Sequence, residues 1–241
     1  MLKKSKTFVK IYFEFRINCV KLINITEGSM ANLPYNVVAD ISMAETIVNK
    51  SRFIGVTFPV ESIEDVKEAL GTLKKSNKDA KHIAYAYILG GDFSNARSND
   101  DGEPAGSAGA PIYQAIREKK ITNTLVAVVR YFGGVELGKS RLTRTYYSSA
   151  AAALAEAKYY KMIYCGIYEM KVSYGDVGSL TKALSEKGFP IIEKRFEESM
   201  PTIKCAIPVE SADKVTEEIR AKLKDSTHVV KLATEYYKFP L

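Results

Sequence analysis

The fold of this chain is decided by a glycine-rich turn, RYFGGVELGKSRLTR at residues 130–144. An apolar run at residues 125–129 precedes it, and small and apolar residues at helical spacing follow it to residue 157. A buried strand that leads through glycines into a helix is typical of architectures that mix helices and strands. The turn itself has little core-forming sequence, so we expect it to build a site.

The glycine turn predicts an anion-binding site. Backbone N–H groups at the start of a helix are unpaired, and the helix dipole is positive there. Three cations follow in the first turn of the helix, where each costs about 0.3–1 kcal/mol unless an anion binds. The alternative is that these charges are only solvated. The predicted ligand residues are Arg130, Gly133, Gly134, Gly138, Lys139, Ser140, Arg141 and Arg144.

Residues 133–140 also fit the phosphate-binding pattern G-x-x-x-x-G-K-S, in which glycines, Lys and Ser hold phosphates and Mg²⁺. A phosphate-binding loop of this kind normally follows the first strand of a parallel sheet. Here the residues that follow the loop fit the pattern of a separate domain instead of further parallel strands. No apolar strand ends in an Asp that could complete a Mg²⁺ site. A nucleotide-binding loop is therefore the less favoured interpretation.

A second glycine-rich loop, NDDGEPAGSAGAP at residues 99–111, is acidic. Its polar residues could bind a metal or act as acid and base. We favour a tight Asp-Gly turn whose carboxylates accept hydrogen bonds from nearby N–H groups. We predict no metal site, no cofactor and no catalytic residue, because neither EF-hand spacing nor a Cys–His or Ser–His arrangement is present. The residues of this acidic loop are Asn99, Asp100, Asp101 and Glu103.

Two further predictions concern the surroundings of these loops. Tyr131 and Phe132 could stack on bases, or they could pack beneath the glycine turn. The helix expected between strands 82–89 and 125–129 suggests that these strands run parallel, so that both loops emerge at one sheet edge. Asp101 or Glu103 should then pair with Arg130 or Arg144 within a single cleft.

Composition divides the 241 residues into three parts. Residues 1–29 hold six Lys or Arg and two Asp or Glu, so more than half of the net charge of +7 lies there. Charged residues interrupt the apolar run of this basic leader, which argues against a signal peptide. We predict a leader that is disordered or not part of the native protein, with a membrane-surface segment as the alternative. Residues 30–160 are predicted to form the N-terminal domain and residues 161–241 the C-terminal domain.

The element pattern predicts a two-domain fold of the α/β and α+β classes. In the N-terminal domain we expect a turn near Asn49–Lys50, a helix capped by Ser62 and a covered strand over His82–Leu89. The C-terminal domain reads as strand, helix, strand, repeated once, which is the ferredoxin-like βαββαβ order. There, Gly188 should end the first helix and Ser211 should cap the second.

The bulk composition, at 46% hydrophobic and 26% charged residues, is that of a globular protein. No window approaches the roughly 18 apolar residues of a membrane span. The three scattered cysteines read as reduced core thiols, so we predict a cytoplasmic protein without a membrane partner.

Four stretches of this sequence resemble the IMPACT family. They are KSRFI at residues 50–54, the strand from His82, the acidic loop and residues 130–146. The tail is similar to that of the bacterial YigZ branch. The sequence departs from the family pattern at Ala84, at Ser107 and at Ser140-Arg141, where the family has Cys, Thr and Gly-Gly.

The resemblance implies an N-terminal α/β domain of the ribosomal-protein type and a C-terminal domain similar to that of elongation factor G. It also implies translational control and a link to the amino-acid starvation response, which is a stress response. We therefore predict a non-catalytic regulator, a monomer or weak homodimer, that binds RNA, the ribosome or a regulatory protein. The alternative is an enzyme acting on a phosphorylated or carboxylated small molecule.

Overall fold

The computed structural model describes residues 32–223 and 227–241, which form two units. The first unit holds Tyr35–Lys161 and Pro240–Leu241, and the second holds residues 32–34 and Met162–Phe239. The predictions for the basic leader and for Cys19 lie outside the described residues.

The first unit is built on one sheet with the strand order β2-β3-β6-β4-β5. Every neighbouring pair in this sheet is antiparallel. The elements are β1 Tyr35–Val38, β2 Ser42–Val48, β3 Ser51–Pro59, α1 Ile63–Ser76, β4 His82–Leu89, β5 Asn95–Asn99, α2 Gly109–Glu118, β6 Thr124–Tyr131 and α3 Lys139–Ala155.

Two local predictions for this unit are confirmed. Asn49 and Lys50 both have positive φ, 46° and 63°, and they turn the chain between β2 and β3. Ser62 and Asp65 form a complete capping box at the start of α1. Each of these features follows from residue types a few positions apart, which explains why the sequence reveals them.

The sheet has a core on each face, because β3, β4 and β6 alternate their side chains between the two faces. One face packs against α1 and the other against α2 and α3. Helix α3 approaches β3 very closely at Gly55, where a Cβ atom would lie 2.2 Å from the backbone oxygen of Ser149. This close approach fixes α3 on the sheet, and α3 carries the predicted cations.

The prediction of parallel strands is wrong. β4 and β6 run antiparallel, with His82 opposite Arg130. The difference arises from β5, which pairs with β4 and returns the chain to the end of the sheet where β4 began. β5 consists of exposed polar and small residues, so it lacks the apolar alternation that marks a strand.

The second unit confirms the predicted βαββαβ order. In its sheet, β9 lies between β7 and β8 and is antiparallel to both, and β10 pairs with β7. Its helices pack on one core with these strands. The elements are β7 Tyr159–Lys171, α4 Val177–Glu186, β8 Ile191–Arg195, β9 Thr202–Pro208, α5 Val209–Leu223 and β10 His228–Pro240.

Of the two predictions for the helix ends of the second unit, one is confirmed and one is wrong. Gly188 has φ of 71°, and backbone bonds from Gly188 and Phe189 close the end of α4, as predicted. The Ser211 cap is wrong, because α5 begins at Val209 and the Ser211 hydroxyl donates back to Pro208 O at 3.1 Å. Cys165 and Cys205 are buried free thiols, and burial raises the pKa of each to about 12.

Candidate functional site

The two glycine-rich loops meet at one end of the first unit's sheet. The β4–β5 hairpin returns the acidic loop to the His82 end of β4, and antiparallel pairing places the end of β6 beside it. Both loops therefore lie at the same sheet end, as predicted, although by a different strand arrangement, and a single cleft between them stays a prediction. Of the ion pairs predicted between Asp101 or Glu103 and Arg130 or Arg144, the pair between Glu103 and Arg130 is present.

Glu103 is the centre of a buried polar cluster. Its Oε1 atom accepts hydrogen bonds from Arg130 Nη1 at 2.5 Å and from the Tyr146 hydroxyl at 2.7 Å. His82 Nε2 lies 3.9 Å from the same oxygen. Glu103 is 9% exposed and Arg130 is 6% exposed. One carboxylate oxygen thus joins the acidic loop to β6 and to α3.

This cluster changes the role of Arg130. The sequence groups Arg130 with the exposed ligand cations, whereas its guanidinium is buried and neutralised by Glu103. Helical spacing places Tyr146 among the apolar residues on the buried side of α3. Burial raises the pKa of Tyr146, as does its hydrogen bond to Glu103, so the hydroxyl stays protonated and donates. Its polar role is not encoded in helical spacing.

Asp100 holds the start of α2. Its carboxylate accepts backbone N–H bonds from Gly106, Ala108 and Gly109 at 2.8–2.9 Å. The N-cap residue of α2, Ala108, has no side-chain acceptor of its own, so Asp100 replaces it from eight positions upstream. Burial alone would raise the pKa of Asp100, but these three bonds and the charge of Lys139 outweigh burial and lower it.

The other polar residues of the acidic loop are also bonded within the fold. Asp101 Oδ2 accepts from Ile83 N at 2.7 Å, and Asn99 Oδ1 accepts from Asp101 N at 2.7 Å. His82 Nδ1 lies 2.7 Å from Asp101 O. These contacts support the turn interpretation of the acidic loop. Across the described ranges, no group of three His, Cys, Asp or Glu residues is placed to hold a metal.

The lowered pKa of Asp100 makes its contribution to stability depend on pH. The stabilisation is present above the unfolded pKa, about 3.9, and is lost as pH falls through the lower folded pKa. We expect Asp100→Asn to destabilise the protein at pH 7, and we expect this difference to shrink progressively below about pH 4. Urea unfolding of both proteins across this range measures it. A difference that does not change with pH would show that charge plays no part.

The cationic face, defined here as Lys139, Arg141 and Arg144, lies in the first turns of α3. All three side chains are exposed, and they line an open depression of about 540 Å³ together with Leu137, Gly138 and Ser140. Neither arginine forms an ion pair with an acidic residue in the described part of the chain, and Lys139 acts on Asp100 only at a distance. The N-cap residue, Gly138, offers no side-chain acceptor to the helix start.

The glycine turn is partly committed to the fold. Gly133 donates its N–H to Ser51 Oγ at 3.0 Å, and a Cβ atom at Gly133 would come within 2.1 Å of the Lys50 backbone. Gly134 and Gly138 have positive φ, 83° and 69°, which favours glycine at both positions. A turn bonded in this way, beside an antiparallel sheet, does not match a nucleotide-binding loop.

The aromatic pair at the end of β6 is divided between the two predicted roles. Tyr131 packs on the core, and its hydroxyl donates to Asn77 Oδ1 at 2.8 Å. Phe132, in contrast, is 42% exposed. Of the two aromatics, only Phe132 presents a substantial surface to a ligand.

The fold and this site define a two-unit protein of helices and antiparallel sheets with an exposed cationic face on its first unit. The Impact N-terminal domain family matches residues 49–154. The IMPACT family member YvyE of Bacillus subtilis (strain 168) is 30% identical over 166 residues, which cover 69% of this chain and 76% of YvyE. The chain therefore belongs to the IMPACT family, as the sequence motifs predict.

Two further comparisons agree with this assignment. The IMPACT family member YigZ of Escherichia coli (strain K12) is 28% identical over 189 residues, covering 78% of this chain and 90% of YigZ. A solved structure described as the crystal structure of a hypothetical protein is 22% identical, with a TM-score of 0.55. The matched region covers 83% of this chain and 98% of the chain in that structure, and the two chains share the same fold. Within the described residues, no helix is both long and apolar enough to cross a membrane.

Proposed function

We propose that this protein is a non-catalytic, translation-linked regulator that binds RNA through the cationic face. The observation that carries the proposal is the placement of Lys139, Arg141 and Arg144 at the positive end of the α3 dipole. The first turn of α3 contains no acidic residue. Lys139 and Arg141, in the first turn, each weaken the helix by about 0.3–1 kcal/mol unless an anion binds there. Arg144 extends this positive charge into the second turn of α3.

The shape of this region favours a polyanion over a small molecule. The depression beside α3 is open, and its charged side chains are exposed. Small-molecule sites are usually enclosed and mostly apolar, whereas RNA phosphates are bound by exposed Lys and Arg. The enzyme alternative also needs free acidic groups, but Asp100, Asp101 and Glu103 are already hydrogen-bonded within the fold.

The link to translation comes from family membership and from what the sequence resemblance implies. On the same grounds, we propose that the protein is cytoplasmic and is a monomer or a weak dimer. It would meet its RNA on the ribosome and act in a stress response. The similarity of the second unit to the C-terminal domain of elongation factor G is part of the same proposal. A regulatory protein as the partner is the competing outcome of the experiment below.

The test is binding of the full chain to RNA and to ribosomes over a range of salt concentrations. We expect Arg141→Ala with Arg144→Ala to weaken binding strongly at low salt, because two phosphate contacts are lost. The slope of log affinity against log salt should become shallower by about 1.4, since each contact with a single strand contributes about 0.7. Gel shift measures RNA binding, and co-sedimentation measures ribosome binding.

The matched control is Lys74→Ala with Lys75→Ala. These two exposed cations lie in the last turn of α1, on the opposite sheet face, and their loss changes the net charge equally. The control should bind almost as wild type does. Because the arginines oppose the helix dipole, their variant should unfold at the same temperature as wild type or higher. Binding that is insensitive to salt, or equal for the two double variants, would refute the proposal.

A further inference from the structure

Phe132 is the outermost of four side chains, three rings and a guanidinium, that contact one another in a row from the surface into the core. The ring of Phe53 packs edge-to-face on Tyr146, with their centroids 5.4 Å apart. Arg130 Cζ lies 5.4 Å from the Phe53 centroid and 5.6 Å from the Phe132 centroid. Tyr146 and Phe53 are fully buried and Arg130 is nearly so, which leaves Phe132 as the exposed member of the row.

The backbone around Phe132 is held on both sides. The preceding residue, Tyr131, pairs with Arg52 in the sheet and is tied to Asn77 through its hydroxyl. The following residue, Gly133, is bonded to Ser51 and packed against Lys50. A ring carried by such a fixed backbone loses little conformational entropy when a flat ligand stacks on it.

A solvent-exposed cation lies over this ring, and its flexible four-carbon stem lets it swing aside when a base stacks there. Lys81 Nζ is 4.8 Å from the Phe132 centroid, and the Lys81 side chain is exposed. The backbone of Lys81 is fixed, because its N–H donates to Arg130 O at 2.9 Å. An exposed aromatic ring with an adjacent flexible cation is the arrangement by which proteins stack an unpaired base and contact its phosphate.

We infer that the RNA bound by this protein is single-stranded and that one of its unpaired bases stacks on Phe132. Lys81 then contacts the backbone of that nucleotide, while the cationic face holds neighbouring phosphates. Duplex RNA does not fit this arrangement, because its bases are already stacked on each other and offer no free face to a side chain. The inference rests on the proposed function and specifies the kind of RNA involved.

The experiment compares a short RNA of mixed sequence, single-stranded or annealed to its complement, on the full chain. We expect the single strand to bind more tightly. Phe132→Leu keeps an apolar side chain but removes the ring, so single-strand binding should fall by roughly five- to a hundredfold. Duplex binding should change little. Phe196→Leu is the matched control, since Phe196 is an exposed phenylalanine of the second unit.

A second readout uses the absence of tryptophan from the chain. Phe132→Trp keeps a stacking ring and introduces the only tryptophan of the chain, whose emission can be excited separately from that of the 15 tyrosines. Its fluorescence should be quenched by the single strand and much less by the duplex, and its affinity should equal or exceed that of wild type.

Three outcomes separate the claims. A selective loss with Phe132→Leu, together with quenching in Phe132→Trp, supports the inference. Salt-sensitive binding that needs Arg141 and Arg144 but ignores Phe132 and strandedness overturns the inference and leaves the proposed function intact. Binding of neither RNA form overturns both.

Discussion

Arg130→Leu is expected to destabilise the first unit by about 3–5 kcal/mol, because it leaves the buried Glu103 carboxylate without its cation. The Glu103 side chain is only 4% exposed, and Arg130 Nη1 is 2.5 Å from its oxygen. The Tyr146 hydroxyl, at 2.7 Å, and His82 Nε2, at 3.9 Å, would remain near the carboxylate, but neither replaces the close contact with the guanidinium. Since the chain has no tryptophan, urea unfolding followed by far-ultraviolet circular dichroism measures the loss.

Two variants make this prediction specific. Combining Arg130→Leu with Glu103→Gln removes the unpaired charge and should recover part of the lost stability. Arg52→Ala breaks a half-exposed pair with Glu45, 3.0 Å apart, and should cost no more than about 1 kcal/mol. Equal losses of unfolding free energy for Arg130→Leu and Arg52→Ala would show that the buried pair stabilises the protein no more than the half-exposed pair does.

Gly55→Ala is expected to have the second largest effect, about 3 kcal/mol, at the upper end of the range for overpacked cores. The added Cβ atom would lie 2.2 Å from Ser149 O and 3.0 Å from Ala153 Cβ. The nearest obstacle is the backbone of α3, which cannot move aside as a side chain can. The helix must shift off the sheet, and the cationic face shifts with it.

The same substitution at Gly71 should have the opposite effect. Gly71 lies inside α1, and no atom lies within 4 Å of the position that its Cβ would take. Gly71→Ala should therefore stabilise the protein by about 1 kcal/mol through helix propensity alone. Thermal unfolding of Gly55→Ala and Gly71→Ala tests both predictions. Stabilisation by Gly55→Ala would contradict the close packing of α3 on β3.

The parts of the fold that sequence predicts well depend on neighbours within a few positions. The turn at Asn49–Lys50, the cap at Ser62 and the end of α4 at Gly188 each need only local backbone geometry and one or two side chains. Strand His82–Leu89 is predicted to the residue because its apolar run is continuous.

The parts that sequence misses depend on distant partners. β5 is polar, and it forms a strand only because β4 offers it a free edge. Without β5 the chain reads as a parallel crossover, so the direction of β4 relative to β6 is wrong. Arg130 reads as an exposed ligand because nothing near it in sequence shows that Glu103, 27 positions earlier, will neutralise it.

The strand order has a consequence for the sequence in which the first unit assembles during synthesis. The β2–β3 and β4–β5 hairpins occupy opposite sides of β6, and no ladder joins one hairpin directly to the other. Both hairpins precede β6 along the chain. A growing polypeptide therefore holds two separate ribbons, which are marginal in water by themselves, until residues 124–131 leave the ribosome and join them into one sheet.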